Sequence, residues 1–132
     1  RLSVPGAIEA ELYAAMSGIQ TEPSTDSGGG TGGGRNIGYV DAGDWLQYNI
    51  DVQTPGSYLI EYRVASEVGS SGFATVVNGI EIDRQSVPNT GGWQNWVTQS
   101  AAVDLQAGEQ TLRINAVGPS WNMNWVRFSV SN

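Results

Sequence analysis

Five tryptophans and five tyrosines stand in this chain of 132 residues, and several sit beside glycine or polar loops. A flat ring in such a place can stack on the apolar C–H face of a pyranose. Asn, Gln, Asp and Tyr side chains can bond the hydroxyls around the sugar's rim as donors and acceptors. Carboxylates are the second chemical resource. Glu9 and Glu11 alternate with Ile8 and Ala10, so they share one face of a short strand. Two carboxylates this close repel unless something compensates them. A Ca²⁺ ion, which prefers carboxylate, amide and carbonyl oxygens, would do so, and a solvated strand face would also accommodate them. Asp41 and Asp44 pose the same question, although Asp44 can simply close the Asp41–Asp44 turn. No spacing singles out two carboxyls as the acid and base of a glycosidase.

Composition removes other chemistry. There is no histidine and no cysteine, so triads built on either, thiolate metal sites and disulfides are excluded. All six cations are arginine, the net charge is −7 and the pI is about 4.2. That field argues against nucleic acid, which demands basic patches, and against sulfated or carboxylated polymers. It suits a neutral partner, or one bound through cations. No apolar run is long enough to span a membrane.

The elements that must position these residues read as short strands. Leu46, Tyr48, Ile50 and Val52 alternate with Trp45, Gln47, Asn49 and Asp51, the period of a half-buried strand. Tyr58–Val64, Leu112–Ala116 and Val126–Val130 repeat it, as do Ile8, Ala10 and Leu12 near the N-terminus. Asn78-Gly79 between Val76-Val77 and Ile80-Glu81-Ile82 signals a hairpin. Thr54–Ser57 and Gln106–Glu109 are turns. No amphipathic helix is evident. These features predict an all-β fold, an antiparallel β-sandwich (jelly roll) of about eight to ten strands.

Strand parity sorts the tryptophans. Trp45 opposes the face of Leu46 and Tyr48 and points outward. Trp93 shares the parity of Val97, Ala101, Val103 and Leu105 and reads as a packing ring, whereas Trp96 reads as exposed. Trp121 lies in the loop Gly118–Asn122 and is a third candidate for exposure. Six of the ten residues from Thr25 to Gly34 are glycine. Too little precedes this run to fold alone, which argues against an interdomain linker. No helix follows it and the chain has no lysine, which argues against a phosphate loop. It reads as a long loop inside one domain, shaping the approach to Tyr39.

Several motifs occur in the order in which a known family carries them: Ile8–Glu11, Ser17–Glu22, Gly38–Trp45, Thr90–Trp96 and Trp121–Trp125. Over about residues 7–130 the chain resembles family 6 carbohydrate-binding modules. The resemblance implies a non-catalytic jelly-roll module, attached in the same chain to a secreted glycoside hydrolase. The 132 residues would then be one module from a larger extracellular protein, and a monomer. It implies a site in the loops at one end of the sandwich, where Tyr39 and Trp96 sandwich a sugar ring and Asn122 bonds its hydroxyls. Trp121 would widen the platform, with Asp41 at its side. A second binding face would use Trp45 and Gln20. A structural Ca²⁺ would be held by Glu9, Glu11 and Asn124, with backbone carbonyls and Arg35 completing the set. An Asp at position 124 would be a stronger ligand than the Asn found there. Family members bind xylans, β-glucans, cellulose or agarose, and the wording of this chain favours agarose. A calcium-stabilised adhesion domain that binds protein is the alternative.

Overall fold

A computed structural model describes residues 1–26 and 34–131. Most of the glycine run, and with it the expectation that this loop shapes the approach to Tyr39, lies outside the described residues. Twelve strands occur among the described residues, more than expected because several are only three or four residues long. They are β1 (Leu2–Val4), β2 (Gly6–Glu9), β3 (Ala15–Ser17), β4 (Gln20–Pro23), β5 (Arg35–Gly38) and β6 (Trp45–Val52). After these come β7 (Gly56–Ser66), β8 (Ser70–Val77), β9 (Ile80–Val87), β10 (Gly92–Leu105), β11 (Gly108–Ala116) and β12 (Asn122–Val130).

The strands form two facing sheets. The first runs β1-β6-β11-β8-β9, with β3 also paired to β6. The second runs β10-β7-β12-β5-β4, with β2 also paired to β12. β1 lies parallel to β6, and the other pairings among the described residues are antiparallel. This is the expected β-sandwich.

The period-two pattern builds the core. Leu46, Tyr48, Ile50 and Val52 of β6 are buried, as are Tyr58, Ile60, Tyr62 and Val64 of β7. Leu112, Ile114 and Ala116 of β11 and Val126 and Phe128 of β12 complete the two inner faces. Apolar side chains on alternate positions of facing sheets leave water together, which is the main stabilising term of such a sandwich. The buried hydroxyls find partners. Tyr48 Oη donates to the Ala10 carbonyl at 2.6 Å, and Tyr62 Oη donates to Asp83 Oδ2 at 2.8 Å. Asn78 and Gly79 have φ of 50° and 83°, the two left-handed residues that a type I′ hairpin turn requires.

Three local expectations need correction. Leu12 is 54% exposed, because the strand ends at Glu9 and the Leu12 N–H turns back to the Glu9 carbonyl at 3.0 Å. Val130 lies at a strand end and is exposed. Trp121 is not an exposed loop ring. It is 1% exposed and lies 5.0 Å from Phe73, which is 4.9 Å from Tyr62. Its Nε1 donates to the Gly118 carbonyl at 2.9 Å, so the one polar atom of the ring is satisfied inside the protein.

Four register shifts break the regular ladders among the described residues: two lie between β8 and β9, at Ser70/Phe73 and Thr75/Val76, and the other two, on β10 and β12, lie near the candidate site residues. Gly92 pairs with Ser66 and Val97 with Val64, so five steps along β10 oppose two along β7. On β12, Met123 pairs with Val64 and Trp125 with Arg63, which leaves Asn124 bulged. Bulges of this kind re-aim side chains.

The packing of Trp121 generates a direct test. Trp121→Ala should lower unfolding stability by about 3–5 kcal/mol, the usual cost of removing a large buried ring. Urea denaturation would measure it, and a variant as stable as the wild type would place the ring outside the core.

Candidate carbohydrate-binding site

A cavity of about 610 Å³ opens at one end of the sandwich, lined by Gln20, Glu22, Tyr39, Val40, Asp41, Trp93, Ser120, Trp121 and Asn122. Tyr39 follows the end of β5 and is 61% exposed. Its backbone is left-handed, with φ of 58°, an uncommon state for a bulky residue and one that recurs at functional sites. Ser120 N–H donates to the Val40 carbonyl at 3.0 Å, tying together the two loops that frame this wall.

The second exposed ring is Trp93, not Trp96. Trp93 is 38% exposed and lines the cavity. Trp96 is half-buried, does not line it, and donates its Nε1 to Gln94 Oε1 at 3.3 Å. Parity misassigned the pair because it was carried across the register shift. The shift adds three residues on β10, an odd number, and an odd number exchanges the two faces of a strand. Thus Trp93 has the numerical parity of the core residues beyond the bulge but faces solvent.

Polar groups gather between and beneath the rings. Asn122 is buried, and its Nδ2 donates to the Trp93 carbonyl at 2.7 Å, which fixes the start of β10 against β12. A Cβ at Gly38 would stand 2.5 Å from Asn122 Oδ1, so only glycine leaves room for this amide. Gln94 Nε2 donates to Glu22 Oε2 at 2.6 Å and to Asn36 Oδ1 at 3.0 Å. Asp41 is exposed at the rim. Its N–H donates to Asp44 Oδ2 at 2.8 Å, so Asp44 closes the turn that presents it. Glu22 and Trp93, neither of them expected in the cleft, line this cavity, and Gln94 holds Glu22 there. The adjacent Gly91-Gly92, with Gly91 at φ 95°, is the sequence signal that the strand is interrupted before Trp93.

Trp45 does lie on the face of β6 opposite its core residues. It is half-buried, with the Arg113 guanidinium carbon 3.9 Å above its ring centroid, a cation–π contact. Gln20 does not join it. Gln20 belongs to β4 in the other sheet and lines the end cavity.

A separate cluster forms where β2 meets β12. Trp125 is in register with Glu9, and the Ala10 N–H donates to the Asn124 carbonyl at 3.0 Å. Ala10 lies between Glu9 and Glu11, so this bond brings both glutamates beside Asn124. Glu9 Oε2, Glu11 Oε1 and Asn124 Oδ1 are each buried without a hydrogen-bond partner. Buried acceptors without donors are costly, and an oxygen-seeking cation is the group that would relieve all three. Burial raises the Glu11 carboxyl above its usual range, opposed by a backbone N–H; the Glu9 charge adds to the rise and the Arg35 charge opposes it. A guanidinium donates and cannot ligate a cation, so the Arg35 side chain is a charge neighbour of this cluster. Its Nε donates to Thr21 Oγ1 at 3.1 Å. Among the described residues no three His, Cys, Asp or Glu side chains group together; this set has two carboxylates and an amide.

Comparisons with known proteins show the family. The family described as carbohydrate binding module (family 6) matches residues 9–130. A carbohydrate-binding module from Cellvibrio mixtus lichenase 5A, solved with cellotriose, is 41% identical. It has a TM-score of 0.84 and covers 98% of this chain and 99% of its own. The clotting factor G alpha subunit of Tachypleus tridentatus is 38% identical over 125 residues, 92% of this chain and 18% of that protein. An alpha-agarase of Alteromonas agarilytica is 33% identical over 132 residues, 94% of this chain and 9% of the enzyme. The chain thus spans less than a fifth of the length of these two curated relatives. An end cleft with two exposed rings, on a sandwich matched nearly end to end, identifies the chain as a member of carbohydrate-binding module family 6, a family of non-catalytic domains.

Proposed function

We propose that the chain anchors a secreted polysaccharide-degrading enzyme to a neutral polymer through the end cleft, with Tyr39 and Trp93 stacking on sugar rings. The observation that carries this is the pairing of two exposed aromatic rings with a polar floor in one cavity. Asn122, Glu22, Gln20 and Asp41 are within the same lining and can bond sugar hydroxyls. Each stacked ring contributes on the order of 1–3 kcal/mol. Two rings and a few hydrogen bonds, less the ordering costs, correspond to dissociation constants of roughly micromolar to millimolar. Such weak attachment is useful because it raises the local concentration of whatever is joined to the module.

A β-linked glucan leads among the ligands, supported by the 41% identical module solved with cellotriose. Agarose is the second reading, supported by the 33% identical agarase and by a net charge of −7, which favours an uncharged polymer. Xylan would enter the same cleft. Trp96 acts here as an anchor for Gln94 rather than as a stacking ring. The Trp45 face is a weaker candidate, because Arg113 already occupies its ring.

The chain also holds a structural Ca²⁺ on this reading, with Glu9, Glu11 and Asn124 as ligands, supported by their three orphaned oxygens. Bound there, the ion supplies the positive charge that the two carboxylates lack. The residues themselves join the end of β2 to the bulge of β12.

Two measurements test these readings. Tyr39→Ala and Trp93→Ala should each weaken binding about tenfold or more, on the stacking energy above, while Trp96→Phe keeps it. Affinity electrophoresis in mixed-linkage β-glucan, agarose and xylan would report this, and unchanged retardation of both alanine variants would remove the cleft from consideration. Chelation with EDTA should lower the melting temperature by on the order of 10 °C relative to saturating Ca²⁺. Superimposable melts would rule out a bound ion.

A further inference from the structure

We propose that Asp26 is the positioning residue of the cation cluster: its carboxylate fixes the Asn124 amide so that Oδ1 faces the glutamates. The inference rests on the calcium reading above and assigns a function to a residue outside the ligand set. A side-chain amide has nearly the same shape when turned over, with its oxygen and nitrogen exchanged. One orientation offers an acceptor to a cation. The other offers two N–H donors, which a cation repels. Something must choose between them.

Asn124 is 1% exposed and sits in the bulge of β12, so water is not available to make the choice. Its Nδ2 donates to Asp26 Oδ2 at 2.9 Å. Turning the amide over would set Oδ1 against that carboxylate, two acceptors face to face. The hydrogen bond to Asp26 therefore selects the orientation in which Oδ1 points away from Asp26, and Oδ1 is one of the three buried oxygens without a partner. Asp26 is itself held firmly. Its side chain is 4% exposed, and Arg63 grips both oxygens, Nε at 3.0 Å and Nη2 at 3.1 Å. Arg63 is steadied in turn by Nη1 donating to Thr98 Oγ1 at 3.1 Å. Because the guanidinium matches its charge, Asp26 acts through the direction of the Asn124 amide rather than by adding a negative charge to the cluster. Partners of this kind, which bind a ligand residue rather than the ion, commonly set metal affinity.

The test is calorimetric titration of CaCl₂ into EDTA-stripped protein, for the wild type, Asp26→Ala and the exchanged pair Asp26→Asn/Asn124→Asp. In the exchanged pair the new amide at position 26 donates to one oxygen of the new carboxylate at position 124. The other oxygen stays directed at the glutamates, and the summed charge of the two positions is unchanged. Asp26→Ala should bind Ca²⁺ about tenfold or more weakly, and the exchanged pair, whose carboxylate at position 124 is the stronger ligand, should bind at least as tightly as the wild type. Wild-type affinity in Asp26→Ala would overturn the proposal, as would an exchanged pair no tighter than Asp26→Ala, since the residue would then serve only the fold. If Asp26→Ala does not fold, the exchanged pair is compared with Asn124→Asp alone, which has no donor at position 26: tighter binding by the exchanged pair supports the proposal, and equal or weaker binding overturns it. A wild type that takes up no Ca²⁺ would overturn the calcium reading itself, and this inference with it.

Discussion

A strand offers each side chain two directions, inward or outward, and the cleft of this domain depends on breaking that alternation at set points. An unbroken β10 would bury Trp93 with Val97 and Val103. The three extra residues between Gly92 and Val97 turn the ring outward, where it lines the same cavity as Tyr39. The single extra residue at Asn124 lies where its carbonyl accepts from the Ala10 N–H, between Glu9 and Glu11 in sequence. Regular pairing supplies the sandwich, and the interruptions on β10 and β12 place the candidate site residues.

The interruptions are held by a small number of polar side chains. Gln94 is the centre of one set. Its Oε1 accepts from the Thr25 N–H at 2.9 Å, the Thr25 hydroxyl at 3.2 Å and Trp96 Nε1 at 3.3 Å, while its amide holds Glu22 and Asn36. One side chain thereby joins the bulged segment of β10 to β4, β5 and the approach to the glycine run. Asp26, one residue beyond Thr25, is the centre of the other set through Arg63 and Asn124. Thr25 and Asp26 thus connect the surroundings of the end cleft with the cluster of Glu9, Glu11 and Asn124.

The sandwich was legible in the sequence because burial of one strand face imposes period two, and Leu46–Val52, Tyr58–Val64 and Leu112–Ala116 keep it without interruption. The family motifs named Tyr39 and Asn122, and the structure brings both to the lining of one cavity. What the alternation could not reveal was any residue beyond a register shift. The exposures of Trp93 and Trp96 were exchanged by parity for that reason. Trp121 misled differently. Its neighbours Gly118, Pro119, Ser120 and Asn122 have the composition of an exposed loop, yet the ring satisfies its N–H on Gly118 and packs on Phe73. Gln20 was grouped with Trp45 without any knowledge of which strands share a sheet, and that is decided by pairings far apart in the chain.

The left-handed backbone of Tyr39 has a consequence for the timing of recognition. The fold sustains that conformation, so the backbone that presents the ring is set before any ligand arrives. A preformed wall needs no loop ordering on encounter, and weak affinity then expresses itself as quick departure rather than slow capture. A domain built in this way would make brief, repeated contacts along a polymer, spending short intervals at each sugar and covering the surface by many rebinding events.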